Sequence, residues 1–122
     1  MKVLIVDDST FMRAVIAGCL KAKYPYIKIY EASDPESAYQ KFLKHRPDFT
    51  TMDITMSSSG LNAIRMIKSA DTSAKIIIVS AMGQKVFIEE GIKLGATDFV
   101  VKPFNPQRLY EAVDKLKISP AS

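Results

Sequence analysis

Cysteine occurs once, histidine once and glycine only five times in the 122 residues. A single cysteine, Cys19, excludes an intramolecular disulfide and any cysteine metal cluster. It sits in the helix-like run Ala17-Gly18-Cys19-Leu20 and reads as a small buried hydrophobe. His45 follows Lys44 at a polar helix end and reads as a solvated surface residue. No Ser–His or Cys–His pair has an obvious partner acid, so nucleophilic catalysis of that kind is not indicated. A glycine-rich phosphate loop is also missing, which speaks against ATP binding of the P-loop type. No apolar stretch approaches the length of a membrane span. The N-terminus is apolar for only a few residues before Asp7-Asp8, unlike a signal peptide. A cytoplasmic protein with no membrane insertion is therefore expected. Like charges never run to five in a row, and the net charge of +4 is spread along the chain. This argues against a nucleic-acid-binding surface.

What the chain does have is a regular alternation. Short runs rich in β-branched residues alternate with helix-like stretches through five cycles. The expected strands are 2–7, 27–31, 48–53, 75–80 and 97–101, and the expected helices 10–22, 35–45, 60–69, 84–94 and 106–117. Ser33 or Asp34 can cap the second helix ahead of Pro35, and Asn105-Pro106 opens the fifth in the same way. Pro47 stops the second helix, and Gly95 follows the fourth as a left-handed cap. Alternation of this kind implies an α/β fold, a doubly wound parallel sheet with helices on both faces. The most continuously apolar strands, 2–7 and 75–80, are expected at its centre. The alternating Ile27-Lys28-Ile29-Tyr30 suits an edge. Ser57-Ser58-Ser59-Gly60 reads as a flexible loop. Residues 1–118 form one domain in this reading, and 119–122 a tail.

Four of the strands end in polar residues of particular kinds. Val3-Leu4-Ile5-Val6 ends in Asp7-Asp8, Phe49-Thr50-Thr51-Met52 in Asp53, Ile76-Ile77-Ile78-Val79 in Ser80, and Phe99-Val100-Val101 in Lys102-Pro103. Open parallel sheets bind ligands beyond the carboxyl ends of their strands. Each residue has a plain alternative taken alone: Asp7-Asp8 and Ser80 as helix caps, Lys102 as an exposed loop residue. Together they place three carboxylates, a hydroxyl and an ammonium at one edge. Clustered carboxylates repel unless a cation intervenes. Mg²⁺ suits such a site, because it is held by few carboxylates and keeps several waters. A carboxylate can also attack phosphorus and form an aspartyl phosphate. Asp53 is the candidate nucleophile, with the cation and Lys102 offsetting charge in the transition state.

With those residues assembled, the chain resembles the receiver domains of two-component response regulators. It is most similar to the single-domain, CheY-like chemotaxis regulators. The likeness rests on Val3-Leu4-Ile5-Val6-Asp7-Asp8-Ser9, Met52-Asp53-Ile54-Thr55-Met56, Ile78-Val79-Ser80-Ala81-Met82-Gly83 and the segment from Gly95 to Phe104. It implies a five-stranded flavodoxin-like sheet in the order 2-1-3-4-5, which is carried over from the family. It implies that Asp53 accepts a phosphoryl group from a phosphohistidine on a sensor histidine kinase. Asp7, Asp8 and Asp53 would bind Mg²⁺ with the backbone carbonyl of Thr55. Lys102 would pair with the phosphoryl group, Ser80 would turn to contact it, and the Phe99 ring would move inward. Thr55 and Met82 would border the phosphoryl group and tune its lifetime. The fourth helix, fifth strand and fifth helix would form the output face, with Lys85, Lys93, Arg108 and Lys115 among its charges. A downstream protein such as a flagellar-motor switch component would read that face of a monomer.

Two departures from the family pattern stand out. The loop Met56-Ser57-Ser58-Ser59-Gly60 lacks the usual proline and is one residue shorter. Phe99 lacks a tyrosine's hydroxyl. Two other readings stay open. One is a receiver domain of a longer regulator with a DNA-binding or enzymatic output. The other is a Mg²⁺-dependent aspartyl-nucleophile phosphatase of the dehalogenase type. Those enzymes, however, carry Asp-x-Asp after the first strand, whereas Asp53 follows the third and position 55 is Thr.

Overall fold

The structure, a computed structural model, describes residues 1–55 and 59–118. The elements alternate strictly: β1 (Lys2–Val6), α1 (Thr10–Lys23), β2 (Lys28–Ala32), α2 (Pro35–His45), β3 (Phe49–Asp53), α3 (Ser59–Ala70), β4 (Ile76–Ala81), α4 (Lys85–Lys93), β5 (Asp98–Lys102) and α5 (Pro106–Lys115). All four strand pairings are parallel, and the order is β2-β1-β3-β4-β5. Both match the expected doubly wound sheet.

Helix starts follow from side-chain caps. Ser9 accepts from the Met12 amide at 3.1 Å, Asp34 from Ser37 at 2.8 Å and Asn105 from Arg108 at 3.0 Å. Each satisfies an amide that the first turn leaves unpaired. Pro35 and Pro106 occupy the first turn, where a missing N–H costs nothing. Arg46 ends α2 with φ 45°, ahead of Pro47. Gly95 turns the chain out of α4 with φ 115°, a conformation that suits glycine.

Alternation along each strand divides the core in two. Leu4, Val6, Ile76 and Ile78 face one side, with Phe42 of α2 and Ile64 and Ile67 of α3. Val3, Ile5, Ile77 and Val79 face the other, with Ile16 and Leu20 of α1 and Leu109 and Val113 of α5. Each such side chain contributes roughly 1.5–3 kcal/mol by leaving water.

Several local expectations need correction. β1 and β4 lie inside the sheet, but β3 holds its centre. Its Thr50 and Thr51 are buried, with hydroxyls lacking partners among the described residues. β-branching fits threonine to a pleated strand, and this outweighs the buried hydroxyls. Ser59 and Gly60 belong to the first turn of α3 rather than to a loop, while Met56, Ser57 and Ser58 lie outside the described residues, as does the 119–122 tail. Cys19 is half-buried at the rim of the α1 side of the core, where burial pushes its thiol pKa up. His45 is also half-buried, its ring stacked on Tyr30 with centroids 3.8 Å apart. No described helix is long and apolar enough to cross a membrane.

Candidate functional site

Crossover connections bring the carboxyl ends of β1, β3 and β5 to one edge of the sheet. Asp7 follows β1, Asp53 ends β3 and Lys102 ends β5. A ligand oxygen from each of Asp7, Asp8 and Asp53 lies within 4.8 Å of the others. Asp7 and Asp53 are buried to 1% exposure, and Asp8 is exposed. The site thus has a dry floor and a wet lip.

Asp7 is held from three directions. Its Oδ1 accepts from the Ser9 amide at 2.8 Å, and its Oδ2 from Lys102 Nζ at 3.1 Å. Its backbone carbonyl accepts from Arg13 at 2.6 Å, and Arg13 in turn pairs with Glu31 at 2.9 Å. Burial pushes the Asp7 carboxyl above the ordinary carboxylate range. The Asp53 charge adds to that rise, while the Ser9 amide and Lys102 oppose it.

Asp53 uses its two oxygens differently. Oδ1 accepts from the Thr55 amide at 2.8 Å and the Thr55 hydroxyl at 2.5 Å, and stands 3.5 Å from Lys102 Nζ. Oδ2 is buried with no partner among the described residues. An unpaired buried carboxylate oxygen is expensive unless something binds there. Beside two further carboxylates it offers hard oxygen ligands of the kind a divalent cation takes, so the donor set fits a metal. Lys102 keeps 18% of its side chain exposed and bridges the two buried acids.

Ser80 is fully buried, its hydroxyl also without a partner among the described residues. It lies one residue beyond Val79, which pairs in register with Asp53. Phe99 lies on β5, at the edge of the sheet. Its ring is 37% exposed and lines a cavity of about 440 Å³ with Ala81, Met82, Ile88 and Val101.

The sequence pattern places Asp7, Asp8, Asp53 and Lys102 together, as the structure does. It gives no sign of Arg13, which fixes the Asp7 carbonyl, or of the Thr55 hydroxyl's bond to Asp53, since the roles expected at that position are a carbonyl ligand and a neighbour of the phosphoryl group. Nor does it mark Gly60, where a Cβ would lie 2.5 Å from the Asp53 carbonyl oxygen. The small residue at a helix start is the available signal for that last one.

Comparison with known proteins agrees with this geometry. The family model described as response regulator receiver domain matches residues 3–114. The chain is 46% identical over 116 residues to a chemotaxis protein CheY of Thermotoga maritima, covering 94% of this chain and 96% of the relative. It is 44% identical over 115 residues to the CheY of Bacillus subtilis, covering 93% and 95%. Among solved structures, the receiver domain of NtrX from Brucella abortus superposes with a TM-score of 0.86 at 27% identity, covering 93% of this chain and 96% of that one.

Proposed function

The chain belongs to the response regulator receiver family, and from that premise we propose that it is a phosphorylation-controlled switch whose acceptor is Asp53. The observation that carries this is the buried Asp53 carboxylate, grouped with Asp7 and Asp8, its Oδ1 3.5 Å from Lys102 and its Oδ2 without a partner among the described residues. The carboxylate oxygen attacks the phosphorus of a phosphohistidine on a sensor histidine kinase. The N–P bond breaks, the imidazole keeps the bonding pair and takes a proton, and an acyl phosphate remains on Asp53. Water later cleaves it to inorganic phosphate and the free carboxylate. Lys102 Nζ stabilises the oxygens of the transferring group. Asp7, Asp8, Asp53 and the Thr55 carbonyl would hold Mg²⁺, which when bound offsets the clustered negative charge.

The acyl phosphate adds roughly −1.5 to −2 charges at this edge. Ser80 turns its hydroxyl toward it, Phe99 moves into the vacated space, and the face of α4, β5 and α5 changes shape. Lys85, Lys93, Arg108 and Lys115 present charge there to a protein partner. The chemotaxis names of the relatives support that setting; a flagellar-motor switch component is the partner we assign within it, and the cytoplasm the place. The protein acts as a monomeric signalling switch rather than as an enzyme on an external substrate.

Incubation with acetyl phosphate and Mg²⁺ tests the reading. Intact-mass measurement should show a gain of one phosphoryl group, removed by hydroxylamine. An unchanged mass would sink it.

The raised Asp7 pKa gives a second expectation. In the folded chain Asp7 holds its proton to higher pH than in the unfolded chain, so its contribution favours folding in acid. That contribution is lost as pH rises through the raised folded-state value, above which the carboxylate is ionised and repelled by the Asp53 charge. Magnesium chloride should therefore raise the melting temperature more on the alkaline side of that value than on its acid side. Equal rises would contradict the assignment.

A further inference from the structure

Phe99 sits on β5, a strand at the edge of the sheet. Side chains close its backbone groups. The Phe99 amide donates to Asp98 Oδ1 at 2.8 Å, and its carbonyl accepts from Arg108 at 2.5 Å. The same Arg108 nitrogen lies 3.3 Å from Asp98 Oδ1, and Lys115 stands 3.6 Å from Asp98 Oδ2. Held by these two acceptors, the guanidinium comes to rest over the Phe99 ring, 5.8 Å from its centroid. Phe99 also lines the cavity of about 440 Å³ shared with Met82, Ile88 and Val101, a volume large enough to take the ring.

We propose that Arg108 is a positioning residue that holds the Phe99 ring at the mouth of this cavity and so sets the threshold of the switch. The inference rests on the receiver reading, in which that ring moves inward. Asp98 and the Phe99 carbonyl determine where the guanidinium sits. Rotation of the ring about its own side-chain bonds leaves both anchors in place. Moving inward therefore parts the ring from the cation, and their attraction favours only the outward state. A ligand's apparent affinity falls by whatever fraction the competent state loses. By reciprocity, anything that holds the ring outward weakens the phosphoryl site. Lysine cannot substitute, since a compact ammonium lacks the planar fork that reaches both acceptors while lying over a ring.

The test uses beryllofluoride with Mg²⁺ as the phosphoryl probe. Binding is followed by the Ser80 amide resonance and by the methyl resonance of Ile88, which borders the same cavity as the ring. In Arg108→Met the Ile88 methyl should shift toward its beryllofluoride-bound position before any probe is added. Half-saturation should fall about threefold, the size expected for removing one exposed cation–ring attraction. Arg108→Lys should behave like Arg108→Met. In a Phe99→Ala background the Arg108→Met change should have no effect on half-saturation, because the ring it acts through is gone. A wild-type response left unaltered by Arg108→Met, or an equal effect in both backgrounds, overturns the latch while leaving the receiver reading intact. A wild-type protein that does not respond to beryllofluoride overturns both.

Discussion

Lys102→Met should slow phosphoryl uptake about a hundredfold, the usual scale for removing one charge-stabilising group from a site. Methionine keeps the apolar stem and removes only the ammonium. That ammonium stands 3.1 Å from Asp7 Oδ2 and 3.5 Å from Asp53 Oδ1. Without it, two acids of 1% exposure face each other with no cation between them. Breaking a buried pair in this way costs about 3–5 kcal/mol. Protonation of Asp7, already favoured by its burial, should relieve part of that, so a loss of about 3 kcal/mol is expected in the metal-free protein. Mg²⁺ should restore stability more fully than it restores rate, because a bound cation offsets the acids' repulsion but leaves the Lys102 position empty. Thermal unfolding in EDTA and in Mg²⁺, beside stopped-flow phosphorylation, separates the two effects. A variant that takes up phosphate within twofold of wild type would remove Lys102 from the chemistry.

Gly60→Ala should destabilise the fold by about 2–4 kcal/mol and disturb the acceptor as well. The added methyl would lie 2.5 Å from the Asp53 carbonyl oxygen and 2.7 Å from Ile54 Cα. Both are backbone atoms at the end of the central strand, so no side chain can rotate aside. The start of α3 must instead move away from β3, and Asp53 moves with whatever gives. Gly18→Ala is the matched control. It lies exposed in the middle of α1 with nothing within 4 Å of its new Cβ, and should gain about 0.5–1 kcal/mol from helix propensity. Urea midpoints for the two variants should move in opposite directions. Midpoints that move alike would mean that α3 does not press on β3 as the structure has it.

The two variants also show what a sequence displays and what it hides. Val3-Leu4-Ile5-Val6 and Ile76-Ile77-Ile78-Val79 announce buried parallel strands locally, and the caps Asp34 and Asn105 announce helix starts within a few residues. The polar residues at the strand ends are legible for the same reason: a parallel sheet places successive carboxyl ends on one side. The central place of β3 is less visible, because Thr50 and Thr51 dilute its hydrophobicity while still fitting a pleat. Contacts made across the sequence are not visible at all. Tyr30 stacks on His45, Arg13 reaches back to the Asp7 carbonyl, and Gly60 meets the end of β3. Each depends on how two elements are packed, which no local pattern records. The departure expected after Asp53, a missing proline and one residue fewer, falls in Ser57-Ser58-Ser59, and Met56, Ser57 and Ser58 lie outside the described residues.

The central claim is that one carboxylate, Asp53, receives the phosphoryl group. Its most direct test is to treat the protein with acetyl phosphate and Mg²⁺, reduce the acyl phosphate with borohydride, and find the modified residue by peptide mass spectrometry. The account predicts homoserine at position 53 in the wild type and no modified peptide in Asp53→Asn. Homoserine at Asp7 or Asp8, or the same gain in Asp53→Asn, would contradict it.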